Sequence, residues 1–245
     1  MHKDNFSKQA IDYAKYRPVY PNALVEKIVS LTQNQQLAWD CACGNGQMAN
    51  LLAPYFNEVF ASDISQKQLD QAIPNNKIRY ALEPCDACSL PDKSVDLITV
   101  AQALHWFHFE HFFTQAKRVL KPGGIIATFG YGFLKIDEPV EQIIEHFYNH
   151  VIGSYWDAER RHVENEYKGI PFPFDEIVIG TFEVHYEWSA ADLLGYLSTW
   201  SAVQHYHKAT GLNPITLIAD AITKAYGHNK TLPLSFPIFT KVGRY

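Results

Sequence analysis

Three carboxylates near the start of the chain fall where a ligand-binding edge would form: Asp40, Asp63 and Asp86. Asp40 sits in the apolar run 37–41, just before the tight stretch Cys41-Ala42-Cys43-Gly44-Asn45-Gly46-Gln47. Asp63 closes the run 59–62, and Asp86 follows the run 78–82 within Pro84-Cys85-Asp86-Ala87. In open α/β sheets, ligands bind outside the carboxyl ends of the strands. Gly44 and Gly46 let the backbone approach a ligand and adopt positive φ. The helix amides beyond them carry partial positive charge, useful for a carboxylate or phosphate. A carboxylate at Asp40 suits an α-ammonium and repels a pyrophosphate. Asp63 suits a pair of ribose hydroxyls, and Asp86 can accept from an adenine amine. Ammonium, ribose and adenine in that order describe one extended ligand, S-adenosylmethionine. Two other readings stand beside it. Gly44-x-Gly46-x-x-Ala49, with Asp63 about 20 residues on, also fits the dinucleotide fingerprint, so an NAD-linked oxidoreductase is an alternative. Taken singly, Asp63 can be a helix N-terminal residue and Asp86 a turn former.

The surrounding elements must bring these residues together. Helical spacing after Pro21 covers Leu24, Val25, Ile28, Val29 and Leu31, and residues 48–52 form a helix entered through Gly44-Asn45-Gly46. Ser65 is a good N-cap for the next helix. The run 95–101, rich in Val, Ile and Leu, reads as a buried strand. Residues 109–120 form an amphipathic helix stopped by Lys121-Pro122-Gly123-Gly124, and 125–129 form a fifth strand. Strands alternating with helices imply βαβ units with right-handed crossovers and a parallel sheet. After Gly130 the rhythm changes. Helical patterns occupy about 133–178, residues 182–188 alternate as a half-exposed strand, 190–203 and 214–226 are helical, and 232–242 is extended. The expected organisation is one domain over 1–245: an N-terminal lid at 1–20, a core at 21–131, and cap insertions at about 133–178 and 190–228.

Bulk properties narrow the function classes. Of the 245 residues, 47% are apolar and 19% charged, as in an ordinary globular chain, and the net charge is −5. No basic surface points to nucleic acid. No apolar run nears the ~20 residues that span a bilayer, and the N-terminus lacks a signal core. The four cysteines, Cys41, Cys43, Cys85 and Cys88, crowd the first third of the chain, which fits a reducing, cytoplasmic setting better than a disulfide framework. Their two close pairs raise a zinc reading, but Cys41 and Cys43 already belong to the glycine loop, and the expectation is no metal.

The stretch 37–47 resembles motif I of the class I S-adenosylmethionine-dependent methyltransferases. Asp63, Asp86-Ala87, Leu90-Pro91-Asp92-Lys93-Ser94-Val95-Asp96-Leu97 and Val119-Leu120-Lys121-Pro122-Gly123-Gly124 resemble the later motifs, in order. The family usually has Gly where this chain has Ala42. A narrower resemblance, to the trans-aconitate methyltransferase-like branch, rests on Phe6, Tyr16-Arg17-Pro18-x-Tyr20-Pro21, Ala103-Leu104-His105-Trp106-Phe107, Gly130-Tyr131, Tyr155-Trp156 and Tyr196-Leu197-Ser198-Thr199-Trp200-Ser201. These likenesses imply a Rossmann-like α/β fold, with a seven-stranded mostly parallel sheet, its last strand antiparallel, helices on both faces and a helical cap. They imply S-adenosylmethionine contacts from Tyr13, Arg17, Asp40, Cys41, Ala42, Gly44, Gly46, Asp63, Ile64, Asp86, Ala87, Gln102 and Ala103, with Arg17 near the methionine carboxylate.

Methyl transfer from a sulfonium is an in-line displacement that needs alignment and exclusion of water more than a strong acid or base. A carboxylate acceptor is already nucleophilic, and a small-molecule acceptor of that kind is the expectation. His105, after the fourth strand, is the candidate catalytic residue as a base for a hydroxyl or amine; its other reading is an orienting or packing histidine. Trp106, Tyr131, Trp156 and Trp200 are candidate acceptor-pocket walls, and Arg160 or Arg161 a candidate guanidinium for an acidic acceptor. His105, His108 and His111 have helix-like spacing that reads as a half-buried helix start. A non-catalytic S-adenosylmethionine-binding protein is the remaining alternative.

Overall fold

The computed structural model describes residues 16–245. Helix α1 (Asn22–Val29) buries Leu24, Val25, Ile28 and Val29. Strand β1 (Leu37–Cys41) runs into α2 (Gln47–Leu52), then β2 (Glu58–Asp63), the short helix α3 (Gln66–Leu69) and β3 (Ile78–Leu82). Ser65 caps α3, its Oγ accepting from the Gln68 N–H at 3.4 Å. Strand β4 (Val95–Ala101) is almost wholly buried, the near-continuous apolar run of a strand covered on both faces. Helix α4 (Phe109–Val119) turns Phe112, Phe113, Ala116 and Val119 inward. It passes straight into β5 (Leu120–Tyr131), whose pairing with β4 shifts register between Val95 and Leu97. Lys121-Pro122-Gly123-Gly124 therefore forms an irregularity inside the strand pairing, with Gly123 at φ +78°, rather than a loop before it.

The sheet order is β3-β2-β1-β4-β5-β8-β6, where β6 is Asp175–Ile177 and β8 is Leu232–Arg244. Strands β1 to β5 are mutually parallel, and β8 runs antiparallel to β5. The sheet has eight strands among the described residues, one more than expected. The reason is the length of β8. Its N-terminal half pairs with β7 (Phe182–Trp188), and its C-terminal end pairs with the three-residue β6. A three-residue strand shows too few alternations to be read from sequence.

The sheet's order reverses between β1 and β4, because the chain winds outward from β1 through β2 to β3 and then returns to β4. That switch point opens a crevice at the carboxyl ends of β1 and β4. The cap covers it with α5 (Glu138–His146), a π-turn (Phe147–Val151), α6 (Arg160–Glu164), α7 (Ala190–Ser198), α8 (Ser201–Thr210) and α9 (Ala219–Tyr226). The single helix expected over 190–203 is two. A capping box at Ser189 and Asp192 starts α7, and the chain turns extended at Trp200 before α8 runs on to Thr210. The break lets the Trp200 ring bury among Trp156, Tyr148 and Tyr196, at centroid distances of 5.5, 5.6 and 5.8 Å. Among the described residues no helix is long and apolar enough to cross a membrane.

Candidate functional site

At the cofactor side, β1 and β4 place Asp40 directly opposite Thr99. The Thr99 hydroxyl donates to Asp40 Oδ1 at 2.9 Å. Asp40 is only 1% exposed, and its Oδ2 has no hydrogen-bond partner among the described residues. Burial, helped by the nearby Asp63 charge, pushes the Asp40 carboxyl up to about 7, against the pull of Thr99 and the Ala49 amide. Asp63 ends β2 and braces the glycine loop: Oδ2 accepts from the Gly44 N–H and Oδ1 from the Ser65 N–H, each at 2.8 Å. Asp86 lies half-buried in the turn after β3, with Ala87 exposed beside it. That turn closes onto the same edge, because the Cys85 thiol hydrogen-bonds the Cys41 thiol at the end of β1. The structure thus gathers the ends of β1, β2 and β3, with their three acids, at one edge. Ile64, 39% exposed next to Asp63, offers an apolar surface there.

The loop between β1 and α2 is shaped by positive φ at Ala42 (+56°), Gly44 (+55°) and Gly46 (+81°). Gly46 has no room for a side chain, since a Cβ there would lie 2.3 Å from the Tyr80 hydroxyl. Ala42 occupies a left-handed conformation that costs a residue with a Cβ about 1 kcal/mol. This explains physically why glycine suits that position. Gln102, the first residue after β4, takes the same conformation at φ +56°. Its amide donates to Phe129 O at 2.8 Å, and its buried Oε1 has no partner among the described residues. Ala103, next to it, is buried.

Beyond Gln102 a cavity of about 40 Å³ opens under the cap. Its walls bring together Arg17, Gln102, His105, Trp106, Trp156, Arg160 and Trp200, which are drawn from 183 residues of sequence, with Asp157, Val163 and Ser201 completing the lining. Arg17 donates to the Tyr131 hydroxyl at 2.8 Å and to Thr199 O at 3.0 Å. The α7–α8 break thus supplies the carbonyl that Arg17 holds. Tyr131 stands behind Arg17 rather than among the lining residues. Next to Arg17, the Tyr16 ring fills the space over Gly195, where a Cβ would come within 2.5 Å of it. Phe6 and Tyr13 lie outside the described residues.

Arg160 is held by three contacts. Its Nε donates to the Tyr148 hydroxyl at 3.0 Å, and its guanidinium lies over the Trp156 and Tyr148 rings at 4.9 and 5.7 Å. Tyr148 in turn hydrogen-bonds Glu164. Arg161 is exposed on the other side of α6. His105 is buried, with Nδ1 3.1 Å from the Tyr167 hydroxyl. Burial, then the positive charges of Arg160, His162 and Arg17, push the imidazole down to about 3, so it is neutral near pH 7. His108 and His111 stack on each other at 5.2 Å and are exposed at the start of α4.

A methyltransferase-domain family matches residues 39–128. A methyltransferase-type protein of Dictyostelium discoideum is 32% identical over 244 residues, covering 96% of this chain and 93% of its own length. The S-adenosylmethionine-dependent methyltransferase-type protein CRG1 of Saccharomyces cerevisiae is 27% identical over 67% of this chain, which spans 61% of that relative. A solved structure from Anaeromyxobacter dehalogenans, a type II methyltransferase-like protein, superposes with a TM-score of 0.86 at 36% identity, over 94% of this chain and 98% of that one.

The chain belongs to the class I S-adenosylmethionine-dependent methyltransferases.

Its cofactor is therefore S-adenosylmethionine, and the residues present fit that ligand. A buried carboxyl with an orphaned oxygen suits an ammonium. The NAD alternative loses its basis with the family assignment. Several residues that shape this methyltransferase site gave no sequence signal: Thr99 beneath Asp40, Tyr148 and Glu164 beside Arg160, and Tyr167 beside His105. Each acts through a long-range contact, such as the 62 positions separating His105 from Tyr167. Only Thr99 had a foreseeable place, as one of two polar residues, with Asp96, inside β4.

Proposed function

We propose that this methyltransferase transfers a methyl group to a small acidic molecule, with a carboxylate oxygen as the acceptor atom. The observation that carries this reading is the Arg160 guanidinium on the wall of the small aromatic cavity beyond Gln102, which Arg17 and Asp157 also line. Arg160 spends only Nε on the protein in the hydrogen bonds seen, which leaves its two terminal nitrogens for a planar anion. The depressed basicity of His105 supports the same reading, because after burial its causes are the positive charges of Arg160, His162 and Arg17. An imidazole with a value of about 3 is a poor general base at neutral pH, where the effective value lies near the working pH. A carboxylate needs no base. The bound cofactor supplies an electrophilic methyl on sulfur; a carboxylate oxygen bonds that carbon as the carbon–sulfur bond breaks, and no proton moves.

The protein's own part is positional. Arg17 and Arg160 bind and orient the acid, Trp106, Trp156 and Trp200 exclude water, and neutral His105 lines the wall. Methyl transfer from labelled S-adenosylmethionine to matched panels of small carboxylic acids and amines tests the reading. Base-labile methyl esters from the acids are the expected product; methylation confined to amines overturns it.

A further inference from the structure

We propose that docking of the cofactor's α-ammonium expels a proton from Asp40, so that cofactor binding is coupled to proton release and tightens as the medium becomes less acidic. This rests on the reading that Asp40 faces the ammonium. The geometry is that of a carboxyl group without a counter-charge among the described residues. Asp40 is buried at the end of β1, one oxygen takes the Thr99 hydroxyl, and the other has no hydrogen-bond partner among the described residues. The groups around it come from every neighbouring element. They are the Thr99 hydroxyl from β4, the Ala49 amide from α2, the Asp63 carboxylate from β2, the Cys43 thiol from the loop, the Cys41 thiol from β1 itself and the Tyr80 phenol from β3. Burial keeps both thiols and the phenol protonated. These neighbours are thus neutral or acidic, and none of them is a cation.

A buried carboxylate in such company takes up a proton rather than remain an unpaired charge. Its value of about 7 leaves it about half protonated at neutral pH. An ammonium brought to the unpartnered Oδ2 is the missing counter-ion. It favours the charged form, and the proton leaves to solvent with no other bond made or broken.

Isothermal titration of S-adenosylhomocysteine, repeated at pH 7 in buffers of different ionisation enthalpy, reads the coupling directly. The expected result is about half a proton released per ligand bound. For 5′-methylthioadenosine, which lacks the amino-acid half, the expected release is none. Affinity for S-adenosylhomocysteine should rise about fifteenfold from pH 5.5 to pH 7.0, a range in which an α-amino group stays charged. Asp40→Asn, which keeps an oxygen for Thr99, should flatten that dependence. Zero release from the wild-type protein, or equal release with 5′-methylthioadenosine, overturns the proposal. If there is no release but Asp40→Asn still weakens binding, the ammonium contact stands and the coupling falls. If Asp40→Asn binds as tightly as wild type at pH 7, the ammonium contact falls as well.

Discussion

The two halves of the site solve opposite electrostatic problems with different materials. The cofactor half is acidic and is built from strand ends and backbone. Asp40, Asp63 and Asp86 come from consecutive strands within 47 residues, and the loop's form is set by backbone torsions at Ala42, Gly44 and Gly46. The proposed acceptor half is aromatic, with Arg17 and Arg160 on its walls, and it is built from side chains that the cap brings together. Arg17, His105, Trp156, Arg160 and Trp200 come from the N-terminal segment, the core and two cap regions. The two halves displace a buried carboxyl and a buried imidazole in opposite directions: Asp40 up to about 7, His105 down to about 3. A sheet edge thus fixes a site for a ligand shared across a whole family. A cap of long-range contacts fixes a site that each member can alter independently.

The largest test of this contrast is the pH dependence of folding in the absence of ligand. His105, displaced downward, binds fewer protons folded than unfolded. Its contribution is present above pH about 6.5 and is lost as pH falls towards 3. Asp40, displaced upward, binds more protons folded than unfolded between about pH 4 and 7. Its contribution is present in acid and is lost as pH rises through that range. Asp40→Asn should therefore raise apoprotein stability at pH 8, and His105→Asn should flatten the acid limb. Each effect is on the order of 4–5 kcal/mol at most, read from denaturant melts at several pH values. Parallel pH profiles in the two variants would break the comparison.

Next in size, Asp63→Ala should weaken S-adenosylhomocysteine about 100-fold, because it removes a charged acceptor and also frees the Gly44 amide. Full affinity in a titration would remove Asp63 from the cofactor half. Arg160→Met should raise the KM of an acidic acceptor about 30-fold while changing cofactor affinity less than twofold. An equal loss of both would mean that the halves are one energetic unit. The smallest effect belongs to Ala42→Gly. Relief of its left-handed backbone should stabilise the protein by about 0.5–1 kcal/mol, seen as a rise in Tm of a few degrees. A fall in Tm would show that the Ala42 methyl makes a packing contact worth more than the strain.

The sequence by itself determined the alternation of strands and helices from Leu37 to Tyr131, the glycine loop and the three acids at strand ends. These are local facts, since periodicity, turn residues and the residue closing each strand lie within a few positions of one another. It also named the residues that meet in the cap cavity, though not their arrangement. Only the tertiary structure decided that Thr99 lies beneath Asp40, that Tyr148 and Trp156 aim Arg160, and that a helix breaks at Thr199 to give Arg17 a carbonyl. The same holds for the pairing of β8 with two separate short strands. Most of these contacts join positions from 12 to 182 residues apart, and the protonation of Asp40 and His105 depends on burial, which no single stretch of chain defines.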